Sequence, residues 1–181
     1  QMLQDSCLRY QRRAAVIDGD VTLSYAELGA AVEQCARALA GNGVPAGEPV
    51  CIWAPNSWQW IVCAFGVWTL GAVVVPVSSR LKAREVGPVL ERSGARLLFS
   101  VSDCDGIDLP GLLAAHYGGH TERPLDNVPT LEQVICFDQP SPLAHCGSYA
   151  GFLEDGSRVE QALEPAVGDR LAEILFTSGT T

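Results

Sequence analysis

The sequence predicts an α/β fold in which a mostly parallel sheet carries helices on both faces. Three observations support this prediction. Short runs such as Pro49–Trp53 are apolar at every position, as in strands that are buried on both faces. Segments with helical spacing of apolar residues lie between these runs, and turn residues separate the two kinds of segment. The 181 residues suffice for one domain or one large piece of a bigger one.

The first predicted elements are a hairpin and a capped helix. The hairpin has strands at Ala14–Asp18 and residues 21–23, joined by a turn at Gly19 and Asp20. Ser24 then stands at a helix N-cap position, and Glu27, three residues later, completes a capping box. A helical stripe of apolar residues follows, and the glycines at 41 and 43 are predicted to end the helix.

Residues 60–77 form the most apolar stretch of the chain, with no charged residue. Eighteen residues is the lower limit for a transmembrane helix, so a membrane span is one interpretation. Gly71 and Pro76 interrupt the stretch, however, and three consecutive valines precede Pro76. We therefore predict a buried helix over residues 57–70, a tight turn at Gly71 and a buried strand to Val77, with no transmembrane segment.

The remaining elements continue the alternation of helices and strands. Two stretches interrupt it, residues 102–130 and 139–169, which are rich in Gly, Pro and Asp and are predicted to be surface connections. A short helix over residues 109–116 is the exception. The other predicted elements are a helix at 82–92 and strands at 96–100, 131–137 and 171–176.

Charge and cysteine content exclude several classes of function. The net charge is −9 and no basic run is present, which argues against nucleic acid as a partner and against electrostatic binding to anionic lipid. The seven cysteines are scattered without a C-x-x-C pair, so we expect free thiols and no disulfide framework. The first residues lack the apolar core of a signal peptide. These features predict a cytoplasmic protein, with peripheral membrane association left open.

No metal site is expected from the spacing of the potential ligands. His116 and His120 are four residues apart, but Gly118 and Gly119 break the helix that would align them. Cys104, Cys136, His145 and Cys146 lack paired-ligand spacing. The four tryptophans are interpreted mainly as packing residues.

The last eight residues, ILFTSGTT, suggest a ligand site. An apolar run leads into a loop of small residues, and such a loop at the carboxyl end of a buried strand is well placed to hold phosphate. Its glycine allows close approach of the backbone, and its hydroxyl and N–H groups are donors to an anion. An ordinary polar surface loop is the alternative that this motif alone cannot exclude. The candidate residues are Thr177, Ser178, Gly179, Thr180 and Thr181.

Five segments in order resemble motifs of the adenylate-forming (AMP-binding) superfamily, closest in pattern to fatty-acyl-CoA synthetases. These segments are TLSYAEL (22–28), VCIWAPNS (50–57), GAVVVPVSSRL (71–81), ARE leading to SGA (83–95) and DRLAEILFTSGTT (169–181). The resemblance covers about residues 10–100 and 165–181. It implies that residues 1–181 are a single α/β piece, a truncated part of the large N-terminal domain of such an enzyme, without its C-terminal domain.

The resemblance implies a function for the full-length protein. Such enzymes activate a carboxylic acid with ATP to an acyl-adenylate and transfer the acyl group to a thiol such as CoA, with Mg²⁺ bound to the nucleotide. The five loop residues 177–181 would contact the ATP phosphates, and no residue of this chain is assigned to catalysis. The acid is expected to be fatty or aromatic. Arg80 could face the nucleotide or the thiol, although a solvated, salt-bridging arginine is the simpler interpretation.

The sequence departs from the family pattern in three places. Phe176 replaces the usual Tyr, Ser78 replaces the usual Asn, and the family's G-x-P-K-G continuation of the loop is absent. Because that continuation carries a lysine near the phosphates, we expect the 181-residue chain alone to be inactive. Missing sheet neighbours could also promote association, so oligomerisation stays open. The alternative function is a non-catalytic α/β interaction or regulatory module that retains the fold.

Overall fold

Strands and helices alternate along most of the chain. The structure is a computed structural model that describes residues 2–119, 123–157 and 169–177. Its elements are α1 (Met2–Tyr10), β1 (Ala14–Asp18), β2 (Val21–Ser24), α2 (Tyr25–Gly41), β3 (Pro49–Trp53), α3 (Trp58–Leu70), β4 (Val73–Val77), α4 (Ala83–Ser93), β5 (Leu97–Ser100), α5 (Leu109–Tyr117), β6 (Gln133–Cys136), β7 (Cys146–Ser148) and α6 (Tyr149–Ser157).

The central sheet has five strands in the order β4-β3-β5-β6-β7, and all its neighbouring strands are parallel. The chain moves from β3 to β4 in one direction and then from β4 back past β3 to β5. Because crossover connections between parallel strands are right-handed, this reversal puts α3 and α4 on opposite faces of the sheet. The structure therefore confirms the predicted fold class.

Two groups of helices cover the sheet. Helix α2 packs against α3 and α6, whereas α4 packs against α5. Strand β3 lies between β4 and β5 in the sheet, and its last four residues, Val50 to Trp53, have no exposed surface. Strands β1 and β2 form a separate antiparallel hairpin that contacts α2. Burial of β3 on both sides explains why its sequence is continuously apolar.

Helix α2 begins at the predicted capping box. The Ser24 hydroxyl oxygen accepts a hydrogen bond from the Glu27 N–H at 3.2 Å, and the Glu27 carboxylate accepts one from the Ser24 N–H at 2.8 Å. The Ser24 backbone and side-chain donors lower the pKa of the Glu27 carboxyl group. These bonds satisfy free donors at the helix start, so Glu27 acts as a helix cap.

The apolar stretch at 60–77 forms a helix and a strand, as predicted. Helix α3 ends where Gly71 adopts a left-handed conformation with φ 79°, and β4 follows directly. The φ value explains why glycine is favoured at this turn. In the part of the chain that the structure describes, no helix is both long and apolar enough to cross a membrane.

The structure corrects the prediction that residues 139–169 form only a surface connection. This stretch contains β7, which extends the sheet, and α6, which packs on α2. Tyr149 and Phe152 of α6 place their rings 6.2 Å and 5.3 Å from the ring of Phe99 in β5. Helix α1 was likewise not predicted from the sequence. The strand predicted at 171–176 is reduced to a single parallel bridge between Val74 and Glu173.

All seven cysteines are free thiols. We expect a thiol reagent to modify seven groups per chain after denaturation without a reductant. In the folded protein Cys51 should react slowly, because burial raises the pKa of its thiol to about 12 and the thiolate is the reactive form. Titration with Ellman's reagent in buffer and in denaturant measures both values. If three disulfides were present, only one thiol per chain would react, and that result would contradict the structure.

Candidate functional site

The segment that leads into the terminal loop lies along the open edge of β4. The Val74 N–H donates to the Ala172 carbonyl at 3.0 Å, and the Ile174 N–H donates to the Val74 carbonyl at 3.0 Å. Ile174 packs against the hydrophobic core, whereas Leu171 and Leu175 are 61% and 67% exposed. The segment is therefore parallel to the sheet and leaves it at the carboxyl ends of the strands.

The bridge to β4 sets the direction of this segment. Glu173 pairs with Val74 in parallel, so the chain runs from there toward the carboxyl end of β4. Thr177 follows the segment and is exposed. It is the one predicted phosphate-binding residue that the structure places; Ser178, Gly179, Thr180 and Thr181 lie outside the described residues.

The turn after β4 is held by a buried tryptophan. The Trp53 indole N–H donates to the Ser78 carbonyl at 3.0 Å, and the Leu81 N–H donates to the same oxygen at 3.0 Å. The Ser100 hydroxyl in turn donates to the Trp53 carbonyl at 2.9 Å. Trp53 was predicted as a packing residue, and its packing is confirmed by complete burial. Its second role, anchoring the turn, was not predicted because the partner is a backbone atom.

Arg80 lies in this turn with an exposed side chain. Its N–H donates to the Ser78 hydroxyl oxygen at 3.3 Å, which fixes the backbone beside the site. The salt bridges among the described residues involve Arg37 and Arg96. The salt bridge expected for Arg80 is therefore not seen in the described part of the chain. Its guanidinium group is an exposed positive charge in the turn after β4.

An acidic side chain occupies the loop that follows β5. The Asp138 carboxylate, from the loop after β6, accepts hydrogen bonds from the Ser102 N–H at 2.9 Å and the Asp103 N–H at 2.8 Å, as well as from the Ser102 hydroxyl. Because the carboxylate uses these donors, they are not free to bind a phosphate. Doubly wound folds bind ligands beyond the strand ends where the chain reverses, which here is between β3 and β5.

Other groupings of polar side chains offer weaker sites. A cavity of about 450 Å³ opens at the opposite end of the sheet, where Arg96 and Glu132 form an ion pair at 2.6 Å. The Cys136 and Cys146 sulfur atoms are 3.5 Å apart. Within the described residues, no three His, Cys, Asp or Glu side chains gather as metal ligands would. His120 lies outside the described residues.

Comparison with known proteins extends the sequence observations. A family model described as "AMP-binding enzyme" matches residues 3–181. A "3-[(3aS,4S,7aS)-7a-methyl-1,5-dioxo-octahydro-1H-inden-4-yl]propanoyl:CoA ligase" from Rhodococcus jostii is 30% identical, over 99% of this chain and 35% of its own length. "Long-chain-fatty-acid--CoA ligase FadD13" from Mycobacterium tuberculosis is 30% identical over 90% of this chain and 28% of its own length.

A solved structure supports the same relationship. The N-terminal domain of FACL13 from Mycobacterium tuberculosis superposes with a TM-score of 0.72 at 25% identity, covering 98% of this chain and 41% of that chain. The 181-residue chain thus spans about a third of the length of the curated relatives that it matches.

Proposed function

Because the chain belongs to the AMP-binding enzyme family, we propose that it is the N-terminal part of an AMP-forming acid–thiol ligase. The similarity to two CoA ligases, each matched over about a third of its length, supports this proposal. The C-terminal domain and the acid-binding region would then lie beyond Thr181. Residues 1–181 would form one α/β piece of the large N-terminal domain.

The proposed reaction makes a carboxylate reactive toward a thiol. A carboxylate does not lose oxide to an attacking thiolate, so one of its oxygens first attacks the α-phosphate of ATP and releases pyrophosphate. The thiol, such as that of CoA, then displaces AMP from the acyl-adenylate. Positioning and charge stabilisation account for most catalysis of phosphoryl-type transfers. Mg²⁺ bound to the nucleotide would neutralise part of the phosphate charge.

The loop that begins at Thr177 is the proposed phosphate-binding element. The observation that carries the proposal is the parallel bridge of Glu173 to Val74, after which the chain runs toward the carboxyl end of the sheet and reaches the exposed Thr177. Hydroxyl and N–H donors of Thr177, Ser178, Gly179, Thr180 and Thr181 would surround the triphosphate. The exposed guanidinium of Arg80 would add positive charge. None of these residues is proposed to react covalently.

The relatives also suggest a class of substrate. One is named for long-chain fatty acids and the other for a propanoyl chain on a fused ring system. We therefore propose a hydrophobic carboxylic acid, fatty or ring-bearing, as the substrate. The seven free thiols fit a reducing compartment such as the cytoplasm.

The proposal predicts a difference between two lengths of the protein. A protein extended beyond Thr181 to the length of the relatives should exchange labelled pyrophosphate into ATP when given a hydrophobic acid. The 181-residue chain should give no exchange above background, because the rest of the nucleotide site is missing. Exchange catalysed by the 181-residue chain would contradict the assignment of the site. Inactivity of the extended protein with short, long and ring-bearing acids would favour a non-catalytic module.

A further inference from the structure

The segment carrying the proposed phosphate loop is attached to the sheet by few bonds. Among the described residues, two backbone hydrogen bonds with Val74 join it to β4, and a single residue, Glu173, forms a formal bridge. Such short edge pairing is weak, since each hydrogen bond contributes little net free energy. Any further contact that holds this segment should therefore affect the direction in which the chain continues after Thr177.

Helix α3 supplies that additional contact. The Trp68 indole N–H donates to the Ala172 carbonyl at 2.8 Å, and this oxygen also accepts the Val74 N–H at 3.0 Å. Both lone pairs of one carbonyl are therefore used, one by the sheet and one by the helix. This oxygen lies five residues before Thr177.

Contacts within α3 hold the indole in place independently of this bond. The Trp68 ring is half-buried and packs edge-to-face on Phe65, with ring centroids 5.3 Å apart. The residue lies in the last turn of α3, where the Gly71 N–H donates to the Trp68 carbonyl at 3.0 Å. A preorganised donor fixes its acceptor at a smaller entropic cost than a mobile side chain does.

We propose that Trp68 is a positioning residue for nucleotide binding, which fixes the segment before Thr177 so that the loop meets the ATP phosphates. This inference rests on the proposed function. Trp68 does not itself contact the substrate; it acts through the Ala172 carbonyl. A misdirected loop should weaken phosphate binding, whereas the pocket for the acid should be little affected.

The test compares two Trp→Phe variants on the same helix in the protein extended to the length of its relatives. Trp68→Phe retains an aromatic ring against Phe65 and removes the N–H donor. Trp60→Phe is the matched control, because Trp60 is also half-buried in α3 and its indole makes no hydrogen bond to a described residue. Two measurements are made on each variant: amide exchange at Ile174, and the steady-state constants for ATP and for the acid.

Trp68→Phe should speed amide exchange at Ile174 by about threefold to tenfold, as expected for one lost hydrogen bond, with exchange in β3 unchanged. The KM for ATP should rise by a similar factor, while kcat and the KM for the acid change less than about twofold. Trp60→Phe should leave all these values near those of the wild type. A purely structural role would instead lower kcat through the folded fraction and leave the KM for ATP unchanged.

Each remaining outcome has a distinct meaning. Unchanged exchange at Ile174 would overturn the anchoring by Trp68. Faster exchange with an unchanged KM for ATP would retain the anchor and overturn its role in nucleotide binding. A wild-type extended protein without ATP-dependent activity would refute the proposed function and, with it, the positioning role. The exchange measurement would still show whether Trp68 holds the segment.

Discussion

Replacing Gly156 by alanine is expected to lower the free energy of unfolding by about 1–3 kcal/mol, as overpacking of a core contact does. Gly156 is buried where α6 crosses α2. A Cβ atom at this position would lie 2.0 Å from the Ala38 Cα and 2.6 Å from the Ala38 Cβ. The obstacle is largely backbone, so the two helices would have to separate. Urea denaturation followed by circular dichroism measures the change.

Gly151→Ala on the same helix is the matched control. A Cβ at Gly151 would meet the Ser148 hydroxyl oxygen at 3.2 Å, with no other contact within 4 Å to the residues that the structure describes. Both substitutions put alanine in place of glycine in α6, so comparing them reduces the contribution of helix propensity and leaves the close approach of Gly156 to Ala38. Gly151→Ala should not lower stability, because alanine is favoured over glycine in a helix by up to about 1 kcal/mol. Equal losses in the two variants would show that the helix spacing at Gly156 is not critical.

The sequence predicts the central elements because local chemistry determines them. Strand β3 is apolar at every position since both its faces are covered, and this pattern is visible without the fold. The Ser24–Glu27 capping box starts α2, and the left-handed Gly71 ends α3. In each case, the signal and the structure that it predicts lie within a few residues of each other.

Helix α6 was missed because its stability comes from distant residues. Its sequence, YAGFLEDGS, contains two glycines, which are unfavourable inside a helix. Tyr149 and Phe152 compensate by packing on Phe99, about 50 residues earlier in the chain. Gly156, which suggested a loop, is instead required by the close approach of α2. Tertiary packing here overrides local propensity.

Only part of the candidate site has a signature in the sequence, and the assignment of its residues to phosphate stays a prediction. The composition of the terminal loop and its position after an apolar run suggest phosphate binding from the sequence alone. The two indole anchors do not show in the sequence, because Trp53 and Trp68 donate to backbone carbonyls 25 and 104 residues away. A backbone acceptor has no residue-type signature, so only the structure reveals these bonds.

In the extended protein, Gly179→Val is expected to reduce acyl-adenylate formation at least tenfold. If the loop surrounds the triphosphate, the phosphates come close to the backbone at glycine, and a branched side chain would occupy that space. A tenfold loss corresponds to about 1.4 kcal/mol of transition-state stabilisation. The folded core should be unaffected, because Gly179 lies beyond the segment anchored at Ala172 and Ile174. Pyrophosphate exchange at varied ATP measures the loss, and thermal unfolding checks the fold.

Thr180→Ala provides the graded comparison. It removes one hydroxyl donor and adds no bulk, so its effect should be smaller than that of Gly179→Val. Both variants should impair the use of ATP by similar factors with a long-chain acid and with a ring-bearing acid, because the triphosphate is the same in each reaction. If Gly179→Val left ATP kinetics unchanged and altered which acid is preferred, the loop would line the acid pocket. The assignment of residues 177–181 to the phosphates would then be wrong.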